Sequence, residues 1–303
     1  MISKEIISMK KLLAIIFLLQ FIAYLSIGQD LTAIRKDLEQ RMAGKKGVPY
    51  GNNAAAGKYY NIRGFKMYFE VYGSGKPLLI IHGNGGSINN FVYQIPYFAQ
   101  KYKVIIADSR SQGKSIDNGD SLSYEMMADD YAALLDAMKI DSANVIGWSD
   151  GGINALLLAL RHPEKVGKMA ITGANLRPDT SAVYQEVWDM VTPEYNGLKQ
   201  KPNLTVKEKA AFKLLRLLCD QPHIPAQALQ AIKVPALVMG GDHDVIKIEH
   251  TVEIFHSIPN AYLYIFPNSG HSTPLVYADE FNKKVGNFFA TPYRVVKGEA
   301  RFF

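Results

Sequence analysis

A serine stands between glycines in Gly147-Trp148-Ser149-Asp150-Gly151-Gly152, directly after the apolar run Asn144-Val145-Ile146 and directly before a segment rich in leucine. A strand before and a helix after are what a nucleophile turn of the G-x-S-x-G type requires. The flanking glycines allow a sharp turn, and the helix head favours negative charge developing beside the hydroxyl. Without that context the motif reads equally well as a glycine-rich turn.

A serine hydroxyl needs a base, and the base needs an acid to orient it. Of the seven histidines, His271 lies in the polar loop Pro267–Ser272, after the last apolar run and before the last helical segment. It is the expected base. His162 precedes Pro163 at a helix end, His223 falls in an insertion described below, and His250 and His256 lie along a helical segment. For the acid, Gly240-Gly241-Asp242-His243-Asp244 follows the run Ala236–Met239. Asp244, further out along the loop, is the first choice and Asp242 the alternative. The order Ser, Asp, His suits this architecture. An oxyanion needs two backbone N–H donors. Asp150, after the nucleophile, supplies one, and Asn84 in His82-Gly83-Asn84-Gly85-Gly86 supplies the other, with His82 holding that loop in place. The same glycines lack the Lys-Ser/Thr of a phosphate loop and the spacing of a dinucleotide site. Trp148 and Trp188 are assigned to the substrate pocket.

Placing these residues on one edge takes a sheet. Phe65–Tyr72 alternates as a half-exposed strand does. Leu78–Ile81, Val104–Ala107, Asn144–Ile146, Met169–Thr172, Ala236–Met239 and Tyr262–Phe266 are compact apolar runs, suited to strands buried on both faces. Helical patterns separate them at Asn90–Gln100, Tyr124–Met138, Gly152–Arg161, Glu249–Ile258 and Leu275–Phe289. The alternation predicts a mostly parallel, doubly wound sheet of the α/β class, with ligands at the carboxyl ends of its strands. The rhythm breaks at about 177–233. Helical pieces at Ser181–Val191, Val206–Leu218 and Ala226–Ile232 there predict a small helical lid, and Thr205-x-x-Glu208 is a capping box for the second.

At the start of the chain, Lys10-Lys11, the apolar Leu12–Ile27 and the small residues Ser26 and Gly28 describe a signal peptide over residues 1–28. Sixteen apolar-rich residues fall short of the roughly 17–25 that span a bilayer. The expectation is therefore an exported chain starting at Gln29, periplasmic or secreted, with no stable membrane insertion after cleavage. An uncleaved N-terminal anchor is the alternative. Residues 29–58 read as an amphipathic helix, Leu31–Met42, and a linker, and 59–303 as one domain containing the lid. The formal charge of +6, spread without basic runs, gives no reason to expect a nucleic-acid partner. A single cysteine, Cys219, excludes an intrachain disulfide framework and a cysteine-built metal site. No metal or other cofactor is expected.

These motifs, with Asp108-Ser109-Arg110-Ser111-Gln112-Gly113-Lys114-Ser115, resemble the α/β-hydrolase superfamily from about Tyr59 to Phe289. Ser111 stands where the family's D-x-R-G-x-G-x-S loop has glycine. The resemblance implies an eight-stranded sheet, a Ser149, Asp244, His271 triad and an esterase-like serine hydrolase acting on a small-molecule ester. His-Gly-Asn is similar to haloalkane dehalogenases, but those have an aspartate nucleophile where this chain has Ser149. Proline iminopeptidases usually read His-Gly-Gly-Pro-Gly at the oxyanion loop and carry a larger lid. Lactone or carbon–carbon bond hydrolysis, peptidase activity, cofactor-free haloperoxidase chemistry and a non-catalytic binding protein of the same fold stay open as alternatives.

Overall fold

The computed structural model describes residues 31–42 and 46–302. The expected signal peptide lies outside them. Eight strands, β1 (Gly57–Ile62), β2 (Phe65–Tyr72), β3 (Lys76–Ile81), β4 (Tyr102–Ala107), β5 (Ala143–Trp148), β6 (Val166–Thr172), β7 (Ala236–Gly241) and β8 (Ala261–Phe266), form one sheet in the order β1-β2-β4-β3-β5-β6-β7-β8. β1 and β2 pair antiparallel, as do β2 and β4, and every other pair is parallel. Consecutive side chains of the parallel strands point to opposite faces, and both faces are covered. Leu79, Ile81, Val145, Ile171 and Val238 enter one core layer, while Leu78, Ile80, Ile146, Ala170 and Leu237 enter the other. That two-sided burial is why these strands read as unbroken apolar runs. β1 gave no such run because it is an edge strand with exposed Lys58 and Tyr59.

The helices are α1 (Leu31–Met42), α2 (Gln94–Phe98), α3 (Tyr124–Ala137), α4 (Asp150–Arg161), α5 (Gln185–Gln200), α6 (Val206–Asp220), α7 (Ile248–Ser257), α8 (Thr273–Val276) and α9 (Ala278–Ala290). Two expected helices are broken: Asn90–Gln100 is a 3₁₀ turn, Ile88–Phe91, followed by α2, and Leu275–Phe289 divides at Tyr277 into α8 and α9. Among the described residues no helix is long and apolar enough to cross a membrane.

The expected insertion is built from α5, α6 and a 3₁₀ segment at Ala226–Ala231. α6 starts at the capping box: the Thr205 hydroxyl accepts from the Glu208 amide (3.3 Å) while the Glu208 carboxylate accepts from the Thr205 amide (2.9 Å). α5 runs through Pro193 and ends later than expected. Tyr195 stacks on Phe212 of α6 at 5.7 Å between ring centroids, and its hydroxyl donates to Asp220 (2.6 Å), which ties the turns beyond Pro193 to a neighbour. Both stems of the insertion are fastened to the sheet edge. Val183 bridges Ile246, the Lys247 amide donates to the Ala182 carbonyl (2.8 Å), and the Ile224 amide donates to the Leu176 carbonyl (2.9 Å).

The stretch read as a linker is also held. Glu70 of β2 is fully buried, and its carboxylate accepts from the amides of Gly51 (2.8 Å) and Asn53 (3.0 Å) and from the hydroxyls of Tyr68 and Tyr72 (both 2.7 Å). A buried charge with four donors is fully satisfied.

The loop after β4 stores strain. Ser111 has φ +63°, a left-handed conformation that L side chains resist, and its buried hydroxyl has no hydrogen-bond partner. The usual glycine of this loop would relieve both. Ser111→Gly is therefore expected to stabilise the fold by about 1 kcal/mol, read as a higher denaturation midpoint. A midpoint that stays put or falls would contradict the strain.

Candidate active site

β5 ends at Trp148 and α4 begins at Asp150, so Ser149 occupies the turn between them, at φ +58° and ψ −124°. The glycines have a steric reason: a Cβ on Gly147 would overlap the Gly151 carbonyl oxygen, and one on Gly151 would overlap that of Ile81. The turn aims the Ser149 hydroxyl at His271, whose Nε2 lies 2.9 Å from Oγ. His271 Nδ1 donates to Asp244 Oδ1 at 2.6 Å, and both residues are buried. Asp244 Oδ1 also accepts from the Ile246 amide (3.1 Å), which fixes the carboxylate plane. Ser149, His271 and Asp244 thus form one hydrogen-bonded chain across the carboxyl ends of β5, β7 and β8. Asp242 does not touch the imidazole. Its two oxygens accept from the amides of Asn268 (2.8 Å) and Ser269 (2.9 Å), bracing the loop that carries His271.

Burial is the largest influence on the His271 imidazole and favours its neutral form. The charge and hydrogen bond of Asp244, joined by the charge of Asp150, outweigh it and leave the pKa above the ordinary histidine value. His82 is set differently: it is fully buried, Nε2 accepts from the Ser109 amide (2.9 Å), Nδ1 donates to the Gly83 carbonyl (2.7 Å), and burial pushes its pKa down to about 4. It is a neutral brace for the loop after β3. That loop passes so near Ser149 that a Cβ on Gly83 would lie 3.0 Å from the Ser149 Cβ and 3.5 Å from Oγ. Asn84 follows. The Asp150 amide, at the first position of α4, has no acceptor within the helix.

The cavity over Ser149 measures about 140 Å³. Val183, Val187, Trp188 and Val191 from the insertion and Val245 and Ile246 from the Asp244 loop give it an apolar wall. Trp188 therefore stands where the sequence suggested. Trp148 does not: it is buried on the other face of the sheet, against Phe91, and its indole N–H donates to the His271 carbonyl (2.8 Å). The reason is strand periodicity, since Trp148 shares the face of Ile146 in β5. It supports His271 from below and does not line the cavity.

Sequence reasoning missed the polar wall. The Asp150 side chain lines the cavity with Asn84, Tyr124, Asn175 and Gln221. Burial pushes the Asp150 pKa up to about 6, opposed by hydrogen bonds from Asn84 and Tyr124 and by the charge of His271. Its position directly after Ser149 was the available signal. No Lys or Arg is among the described residues lining the cavity. Among the described residues no cluster of three His, Cys, Asp or Glu is placed to hold a metal ion.

A family model described as "alpha/beta hydrolase fold" matches residues 76–211. The eight-stranded sheet, the Ser149 turn at the end of β5 and this match agree. The chain has the α/β-hydrolase fold. It is similar to "Serine hydrolase BPHL" of Homo sapiens, 25% identical over 280 residues that cover 85% of this chain and 94% of the relative. It is also similar to the 2-hydroxy-6-oxo-6-phenylhexa-2,4-dienoate hydrolase of Burkholderia cepacia, at 26% identity over 75% of this chain and 92% of the relative. Among solved structures it superposes on Est816, described as an N-acyl homoserine lactone degrading enzyme, with a TM-score of 0.63 and 26% identity. That match covers 76% of this chain and the whole of Est816. This α/β hydrolase shares hydrolase chemistry with its relatives, which differ among themselves in the bond they cut.

Proposed function

We propose that the protein is a serine hydrolase that cleaves a carboxylic ester or lactone through an acyl-enzyme. The reading rests on the chain Ser149 Oγ–His271–Asp244, with its 2.9 and 2.6 Å contacts. His271 Nε2 takes the proton from Ser149 Oγ as that oxygen attacks the carbonyl carbon. The carbonyl π electrons move to oxygen, and the oxyanion is held by the amides of Asn84 and Asp150. When the tetrahedral species collapses, the alkoxy group leaves with the proton from Nε2. Nε2 then takes a proton from water as the water attacks the acyl carbon. The second collapse returns a proton to Ser149 and frees the acid. Asp244 holds the tautomer and stabilises the imidazolium, without taking the proton.

Charge favours this reading over cleavage of a carbon–carbon bond in a dienoate. A dienoate brings a carboxylate of its own, and this cavity offers the Asp150 carboxylate and no Lys or Arg to receive it. Like charges brought together in a desolvated site are strongly disfavoured. A neutral ester or lactone meets no such penalty. The volume favours a small acyl group, because a cavity of about 150 Å³ holds a benzene-sized guest.

The test is a panel of p-nitrophenyl esters from acetate to palmitate, with lactones and a 2-hydroxy-6-oxo-dienoate alongside. Acetate and butyrate should be turned over faster than palmitate. Their kcat/KM should fall on acidification with a midpoint above about 6.5, because the raised His271 pKa keeps the inactive imidazolium populated to higher pH. Turnover of the dienoate with none of the esters would overturn the reading.

A further inference from the structure

The loop after β3 is tied to the insertion through one side chain. Asn84 Nδ2 carries two hydrogens. It donates to Asp150 Oδ2 (2.9 Å) and to the carbonyl of Leu214 in α6 (3.1 Å). Both partners are acceptors, so the amide nitrogen, not its oxygen, must face them. Asn84 Oδ1 is buried and has no hydrogen-bond partner, so nothing else sets the orientation of the amide. The same two residues, Asn84 and Asp150, carry the backbone N–H groups assigned to the oxyanion. We propose, resting on the serine-hydrolase reading, that the Asn84 side chain is a positioning residue that couples the seating of α6 over the cavity to the geometry of the oxyanion site.

Besides its contacts within the insertion, such as the Tyr195 hydroxyl on Asp220, α6 has polar tethers to the stretch from Asp117 to Tyr124. Lys213 Nζ donates to the Gly119 carbonyl (2.6 Å) and lies 3.6 Å from the Asp117 carboxylate. Gln221, just after α6, bonds the Leu122 carbonyl (3.2 Å) and the Tyr124 amide (3.3 Å). These contacts hold the helix to the segment between β4 and α3, while Asn84 links it to the loop beside Ser149. When α6 lifts, Asn84 loses one of its two acceptors. Its amide is then held by Asp150 alone, and the loop is free to turn the Asn84 backbone N–H away from the oxyanion. Seating of the helix over bound substrate restores the second bond and completes the site, so that closure acts on the chemical step.

A double-mutant cycle tests the coupling. Lys213→Met weakens the seating of α6 from its outer side, and Asn84→Ala cuts the link. The readouts are kcat and KM for p-nitrophenyl acetate and the rate of Ser149 labelling by a fluorophosphonate. Asn84→Ala should lower kcat about 10–100-fold with KM within about 3-fold, the pattern of a lost transition-state contact. Lys213→Met alone should lower kcat about 3–10-fold, and should cost nothing further once Asn84 is alanine. Thermal melting confirms that each variant is folded. Asn84→Leu, which keeps the volume without the donors, repeats the cycle should the alanine variant melt early. Additive losses, or losses in KM alone, with labelling of the unmodified protein intact, overturn the coupling and leave the hydrolase reading standing. An unmodified protein that neither turns over the ester nor takes the label overturns that reading and the coupling with it.

Discussion

Ser149→Ala is expected to lower kcat for a short-chain p-nitrophenyl ester by about a millionfold, close to the uncatalysed rate. That corresponds to about 8 kcal/mol of lost transition-state stabilisation. The size follows from the role: without the hydroxyl there is no covalent route, and His271 is left as a base with nothing bonded to its Nε2. The fold should be undisturbed. Alanine accepts the same φ of +58° as serine, at the same strain, and the hydroxyl's hydrogen bond is to His271. The melting temperature of the variant should match the unmodified protein within a few degrees. Residual activity within a hundredfold of the unmodified protein would show that another group carries the reaction.

The second large effect is at Asp244. Asp244→Asn should lower kcat by about ten thousandfold while leaving the backbone in place. The surroundings explain why. Asp244 Oδ1 accepts from both the imidazole and the Ile246 amide, and Oδ2 faces the Gly241 amide at 3.5 Å. Every neighbour is a donor, so a carboxamide must turn its NH₂ toward one of them. Facing Nδ1, it reverses the tautomer and puts a proton on Nε2, which can then no longer receive one from Ser149. The charge that outweighs burial at His271 is also gone, so any residual activity should show its acid limb at lower pH than in the unmodified protein. Asp242→Asn is the matched control. Its carboxylate braces Asn268 and Ser269 and not the imidazole, so stability should suffer more than kcat. A larger kcat loss at Asp242 than at Asp244 would reverse the assignment.

The sheet and the turn that carries Ser149 were legible because both depend on local pattern. Two-sided burial makes parallel strands uniformly apolar, and the steric crowding at Gly147 and Gly151 demands glycine around Ser149. His271 was legible from its position in a polar loop at the carboxyl edge. Asp244 and Asp242 could not be separated by residue type, since both sit on the same strand-end loop. Their difference lies in which donors each carboxylate faces. Trp148 lies off the cavity because the period of two along β5 puts it on the face of Ile146. The Asp150 side chain in the cavity wall and the four donors gathered on Glu70 depend on contacts between distant segments. No local pattern carries them. α5 outran its expected end because packing of Tyr195 on Phe212 holds the turns that Pro193 alone would disfavour.

The most direct measurement is to treat the unmodified protein with a fluorophosphonate and locate the adduct by peptide mass spectrometry. One equivalent should be bound, on the peptide that carries Ser149, and labelling should slow as His271 becomes protonated. An unlabelled protein, or an adduct on any other residue, would contradict Ser149 as the nucleophile.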